Sequence, residues 1–276
     1  MSGEPPSVVQ RHFDANADYW RDVYDDPGVS RLVYGGRMAT GLEWIDGLGL
    51  TPGAPVLDAG CGAGLLSVAL AQRGLTVTAT DASTEMLART RQSLAASGLT
   101  QCVTVQSADA ARLRFGDEQF ALVTALGLLP WVPDVTATIT ELARVAQRPG
   151  WLLVSADNRA RLSFLLEPRE SPLLGPAKAA RGIVRRARGI PEPHRPRMHR
   201  PAEIDQLLRA AGLEPVRRAT FGFGPFTFLG RPLLWNAAAV AAHERLQRSG
   251  ATSAALRRTG WHYIVLARRA GYRPAG

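Results

Sequence analysis

The run Val56-Leu-Asp58-Ala-Gly60-Cys61-Gly62-Ala63-Gly64 carries the sharpest chemistry in the chain. A stretch of buried-type residues ends in a carboxylate and feeds a Gly-x-Gly-x-Gly turn, after which Leu65, Leu66, Ala69 and Leu70 recur at helical spacing. Glycines permit positive φ and let a ligand approach the backbone closely. The amino end of the following helix offers unpaired N–H groups and the positive end of its dipole, suited to a carboxylate or phosphate. A dinucleotide fingerprint needs glycine at its first, third and sixth places, and here the sixth, counted from Gly60, is Leu65. Asp58 would also repel a pyrophosphate on that turn. A cationic ligand with a carboxylate tail suits an Asp-plus-amide site better.

Further candidates follow in order. Asp81 ends the strand-like run from Thr76, Ser83 is placed to cap a helix from about Thr84 to Ser97, and Ala108-Asp109-Ala110 follows a third strand-like run. Taken singly, Asp81 reads as a strand-end turn residue, Met86 as core and Asp109 as a loop carboxylate. The histidines are His12, His194, His199, His243 and His262. His199 precedes a helix opened by Pro201, and His262 opens the last strand; these two are the candidate bases, each weighed against a structural role. Cys61 and Cys102 cannot make a disulfide framework or a four-cysteine zinc site, and no metal-ligand cluster is legible. Cys61 reads as a small buried residue.

The elements that must position these groups alternate between strand and helix. Strand-like runs at 54–60, 76–81, 102–106, 120–126, 151–156, 214–221 and 261–268 are separated by helical periodicities. Val135, Ile139, Leu142 and Ala146 fall on one helical face, which Pro149-Gly150 is expected to end. The pattern predicts an α/β fold with a doubly wound, Rossmann-like seven-stranded sheet, the last two strands pairing antiparallel at an edge. Four regions are expected: an N-terminal helical cap over 1–50, a cofactor-binding core over 51–158, a lid or substrate segment over 159–200, and a C-terminal completion with a helical insertion over 201–276.

Together these residues resemble the class I S-adenosylmethionine-dependent methyltransferases. Their Asp-x-Gly-x-Gly-x-Gly motif is matched by Asp58, Gly60, Gly62 and Gly64. The acidic residue ending their second strand is matched by Asp81, which the resemblance makes an acceptor for both ribose hydroxyls. It also implies that Ala82 and Met86 pack on the adenosine, that Asp109 and Ala110 meet the adenine amino group, and that Leu126 lines the cofactor. Leu142 to Leu153, with its Pro149-Gly150 step, is similar to the family's helix–Pro-Gly–strand signature. Arg11 to Trp20 resembles the cofactor-covering helix of ubiquinone- and menaquinone-type methyltransferases, and with Arg31 to Arg37 the opening of magnesium-protoporphyrin O-methyltransferases. Tyr19 and Arg37 thereby join the expected cofactor contacts. Phe13 and Trp20 packing on the sheet is an equal reading of the same helix.

The resemblance implies methyl transfer from S-adenosylmethionine to a bulky small molecule of natural-product or quinone type, with O-methylation favoured over C or N. The Asn-Pro-Pro-Tyr signature of nucleic-acid and protein N-methylation is replaced by the apolar Gly127-Leu-Leu-Pro130-Trp131. Rival readings are a nicotinamide oxidoreductase, disfavoured by the glycine spacing, and a cofactor-binding fold used for non-methylating chemistry.

Composition narrows the classes further. At 46% hydrophobic and 21% charged the chain can bury a sizeable core, which excludes wholesale disorder. The net charge of +9 invites nucleic-acid binding, but among 33 basic residues only Lys178 is lysine, a bias more typical of coding composition than of selected phosphate contacts. The apolar stretch Pro232–Ala242 is far short of the ~20 residues of a membrane helix. Without an apolar leader the expected setting is cytoplasmic, as a monomer or homodimer. Between Lys178 and Arg200 eight basic residues face one acid, Glu192. That segment is read either as a solvated surface or as a lid whose arginines clamp an anionic group on the acceptor. Leu162, Phe164, Leu165, Ile183, Phe221, Phe223, Phe226 and Phe228 are expected to wall the acceptor's apolar body.

Overall fold

The computed structural model describes residues 8–16, 18, 20, 29–167, 196–224, 226–229, 231–253 and 256–271. Two helices, α1 (Val8–Ala15) and α2 (Val29–Asp46), precede β1 (Pro55–Ala59), α3 (Leu65–Ala71), β2 (Thr76–Asp81), α4 (Thr84–Ala96), β3 (Val103–Ser107) and β4 (Phe120–Ala125). Then come α5 (Val135–Val145), β5 (Ala146–Asn158), α6 (Ser163–Leu166), β6 (Met198–His199), α7 (Pro201–Ala210) and β7 (Leu213–Phe221). A hairpin of β8 (Thr227–Phe228) and β9 (Arg231–Pro232), the helix α8 (Asn236–Thr252) and β10 (His262–Arg269) complete the chain.

The sheet runs β3-β2-β1-β4-β5-β10-β7, with β6 pairing β5 in addition. The first five strands are parallel, and β10 alone reverses direction, antiparallel to both β5 and β7. The expected antiparallel pairing of the last two strands is present, but β10 lies inside the sheet and β7 takes the edge. Side chains alternate between faces along each strand. Leu57, Val123, Leu152 and Val265 pack with α5 and α7, whereas Val56, Leu122, Leu153 and Ile264 pack with residues of α2, α3 and α4. Both faces being covered accounts for the near-continuous apolar runs of β1, β4 and β5.

Two boundaries differ from the sequence expectation. α5 ends at Val145, four residues before Pro149, and Ala146 opens β5 instead of completing the helical face. Arg269 supplies the reason: its guanidinium donates to the carbonyls of Arg144 and Ala146, satisfying the helix end. The fifth strand also runs on to Asn158, where Asp157 and Asn158 pair with Met198 and His199. Because β10 already occupies one edge of β5 at Asp157, β6 takes the other, beyond the end of β4. The expected lid falls largely outside the described residues. Among the described residues no helix is long and apolar enough to cross a membrane, and no cluster of His, Cys, Asp and Glu could hold a metal ion.

Candidate active site

The carboxyl ends of β1, β2, β4 and β5 open onto a cavity of about 1180 Å³. Gly60 and Gly62 border it and Gly64 follows, all three with positive φ, of 70°, 56° and 81°. Their roles differ. A Cβ on Gly64 would lie 2.8 Å from Thr90 Cγ2, so this glycine lets α3 approach α4; a Cβ on Gly62 would meet nothing within 4 Å. Gly62 borders the cavity, so a side chain there would project into it.

Asp58 is buried beneath the turn, its two oxygens accepting from Ser67 Oγ at 2.6 Å and Thr124 Oγ1 at 2.9 Å. Burial nevertheless pushes its carboxyl up to about 6. Asp81 accepts from the backbone N–H of Gly62 at 3.0 Å and of Ser83 at 2.9 Å, which locks the β2 end to the glycine turn. Burial also raises the Asp81 carboxyl, against those hydrogen bonds. Ser83 caps α4 as expected, its Oγ accepting from Met86 N–H at 3.1 Å. Met86 is fully buried against the cavity, and Ala82, Asp109, Ala110 and Leu126 border it. One Asp109 oxygen is held by the N–H of Ala111 at 2.9 Å.

α1 closes this end: Gln10 Nε2 donates to the Ala82 carbonyl at 3.0 Å, and Asp14 accepts from Ser83 Oγ. The other end is aromatic. His12 stacks on Trp131 at 5.1 Å, Phe13 meets Trp131 edge-on at 5.0 Å, and Trp20 meets Tyr34 at 5.9 Å. The N-terminal helix borders the cavity, and Phe13 and Trp20 pack on Trp131 and Tyr34, not on the sheet as the alternative reading expected.

Arg37, from α2, is buried over the Tyr34 ring, and its Nε has no hydrogen-bond partner among the described residues. His262 lines the same wall. Its Nδ1 lies 3.0 Å from Asp157 Oδ1, off the direction of a straight N–H···O bond. Burial lowers the His262 pKa from 6.5, Asp157 opposes that, and Arg37 and Arg161 reinforce it.

The cavity thus gathers the expected Arg37, Asp58, Gly60, Gly62, Asp81, Ala82, Met86, Asp109, Ala110, Leu126 and His262. Gly64 sits just behind it as the residue preceding α3. Tyr19 lies outside the described residues. His199 does not border the cavity; it faces a separate shallow cleft with Asp134, Gln206 and Glu203, whose carboxylate is 3.9 Å from Nδ1. The β6 pairing puts it there, because it holds His199 beside Asn158, the last residue of β5, on the edge opposite β10. The expected phenylalanine wall is corrected too. Phe223 and Phe226 form a small separate core with Ala239, backed by Leu162. Phe164 packs on Arg161 at 4.3 Å, Phe221 backs the α2 face of the sheet, and Phe228 is exposed. The Leu165 side chain and Ile183 are outside the described residues. Asp157 and Tyr34 went unnoticed in the sequence; the signal for Asp157 was an acid ending a buried strand, as at Asp81.

A methyltransferase-domain family matches residues 57–154. The ubiquinone biosynthesis O-methyltransferase of Azoarcus sp. (strain BH72) is 33% identical over 222 residues, covering 80% of this chain and 88% of that one. Magnesium protoporphyrin IX methyltransferase from Synechocystis PCC 6803, solved with bound SAH, superposes with a TM-score of 0.64 at 23% identity, over 95% of this chain and 99% of that one. A [4+2]-cyclase shares the fold at a TM-score of 0.61 and 19% identity, over 98% and 100% of the chains. The chain belongs to the S-adenosylmethionine-dependent methyltransferases. S-adenosylmethionine is its cofactor, and the site fits it: the space over Gly62, the acceptors Asp81 and Asp109, and the unmatched Arg37 guanidinium suit a nucleoside joined to an amino acid.

Proposed function

We propose that the protein methylates a hydroxyl of a bulky, largely aromatic small molecule. The observation that carries this reading is the two-ended cavity. Its volume of about 1180 Å³ exceeds the ~300–1000 Å³ usual for a single ligand, leaving room for an acceptor beside the cofactor. Asp81 would hold the ribose hydroxyls, Met86 and Asp109 the adenine, Arg37 the carboxylate, and Asp58 would face the positive charge. When bound, the cofactor supplies a methyl group on a sulfonium, already a good leaving group. The protein's part is therefore alignment and exclusion of water. Phe13, Trp20, Tyr34 and Trp131 supply rings on which a planar acceptor would stack. The similar Azoarcus enzyme is named for O-methylation in ubiquinone biosynthesis, which favours a hydroxylated ring as acceptor. A site roofed by α1 suits a discrete small molecule and not a nucleic-acid strand.

Incubating the protein with methyl-labelled S-adenosylmethionine and a set of catechols, quinols and flavonoids tests the reading. Label in a methyl ether is the expected product. Label in a carbon- or nitrogen-bound methyl group would contradict O-methylation.

A further inference from the structure

We infer that His262 is the general base that takes the proton from the acceptor hydroxyl, and that Asp157 positions and charges it for that task. The inference rests on the methyl-transfer reading above. Three observations converge. The imidazole stands in the wall of the cavity, beside Tyr34 and Trp261. Nδ1 lies 3.0 Å from Asp157 Oδ1 without a straight hydrogen bond, and the nearness of that carboxylate favours the proton on Nδ1 and the lone pair on Nε2. Both ring nitrogens are buried with no hydrogen-bond partner among the described residues, and Nε2 has no carboxylate beside it. A buried ring nitrogen left unpaired costs free energy unless a ligand group completes it.

The register of the sheet creates the pair. Antiparallel alignment of β10 with β5 sets His262 directly opposite Asp157, and both sit at the ligand end. β10 is the one reversed strand, so its first residue arrives where the parallel strands deliver their last. His199, the other candidate, is not among the described residues that border this cavity.

The step balances within the site. The acceptor O–H bond breaks and its proton passes to Nε2. The oxygen's electron pair forms the new O–CH3 bond; the C–S bond breaks, its pair staying on sulfur, which leaves as a neutral thioether. The imidazolium that forms is offset by the Asp157 carboxylate at 3.0 Å. The groups facing His262 are Asp157 from β5, Tyr34 and Arg37 from α2, and Arg161 beyond β5. Burial and the two arginines keep the resting ring neutral, the form a base requires. The Tyr34 ring lies 5.3 Å from His262, and because Nε2 is fully buried the proposal requires that ring to turn aside before a hydroxyl reaches it.

The test uses the full-length protein with 15N-labelled histidine rings, saturated with S-adenosylhomocysteine, and catechol as the acceptor probe. The His262 signal is assigned by its loss in His262→Gln. The expected spectrum shows a proton on Nδ1 and none on Nε2 at neutral pH, and an Nε2 resonance that moves when catechol is added. His262→Gln should bind S-adenosylhomocysteine as wild type does, while methyl transfer to catechol falls by about 10²-fold or more. Asp157→Asn should lower turnover and move the acid limb of its pH profile to lower pH, because the imidazolium loses its counter-charge. A protonated Nε2, an Nε2 indifferent to catechol, or His262→Gln with near wild-type transfer overturns the assignment. Failure of the wild-type chain to bind S-adenosylhomocysteine would instead overturn the underlying cofactor reading.

Discussion

Ser83 Oγ donates to Asp14 Oδ1 at 2.5 Å, tying α1 to the turn after β2. The same oxygen accepts from Met86 N–H, so one hydroxyl both starts α4 and ties α1 over the Ala82 end of the cavity. Asp14→Ala removes only the second function. It should weaken S-adenosylhomocysteine binding about fivefold to tenfold, equivalent to roughly 1 kcal/mol, with little change in melting temperature. Ser83→Ala should weaken binding similarly and also cost ~1 kcal/mol of stability through the lost cap. Paired calorimetry and thermal melts separate the two.

The glycines of the turn should divide by role. Gly64→Ala sets a Cβ against Thr90 at 2.8 Å and should destabilise the fold strongly. Gly62→Ala meets no protein atom, so its stability cost should stay near the ~1–2 kcal/mol of a left-handed alanine. Cofactor affinity should suffer out of proportion to that cost, since the methyl enters the ligand's space. Equal losses of stability in the two variants would refute the division.

Asp58 predicts a pH signature. Its carboxyl is raised from the ordinary 3.8 to about 6 by burial, so its contribution to folding is full below the ordinary value and is lost as pH rises through about 6. Asp58→Asn keeps an acceptor and adds a donor for Ser67 and Thr124, whose hydroxyls can turn to match. The variant should be more stable than wild type at pH 8, by an amount on the order of ~2–3 kcal/mol, and should lose the pH dependence between pH ~4 and ~6. Its affinity for the cationic cofactor should fall. Denaturant unfolding across that range measures the first effect, and cofactor titration the second.

How much of this was legible depends on distance along the chain. The Asp58–Gly64 turn, the Asp81 strand end and the Ser83 cap are local signals, and each stands where its own neighbours place it. His262 was a candidate from the sequence, but its partner Asp157 was not, because their contact is written only in the β5–β10 register. The aromatic end joins Phe13, Tyr34 and Trp131 from distant segments, and no spacing rule links them. Phe223 and Phe226 misled for the opposite reason: apolar residues declare that they will be buried, not against what. His199 was placed correctly before its helix, but the two-residue β6 was too short to carry a pattern.

Cofactor binding underlies every role assigned to these residues. Calorimetric titration of the wild-type chain and of Asp81→Ala with S-adenosylhomocysteine tests it most directly. One-site binding by the wild type is predicted, with the variant weaker by about 2 kcal/mol, near thirtyfold, if Asp81 is the charged acceptor of the ribose hydroxyls as proposed. Absence of binding to the wild type, or equal affinity in the two proteins, would contradict it.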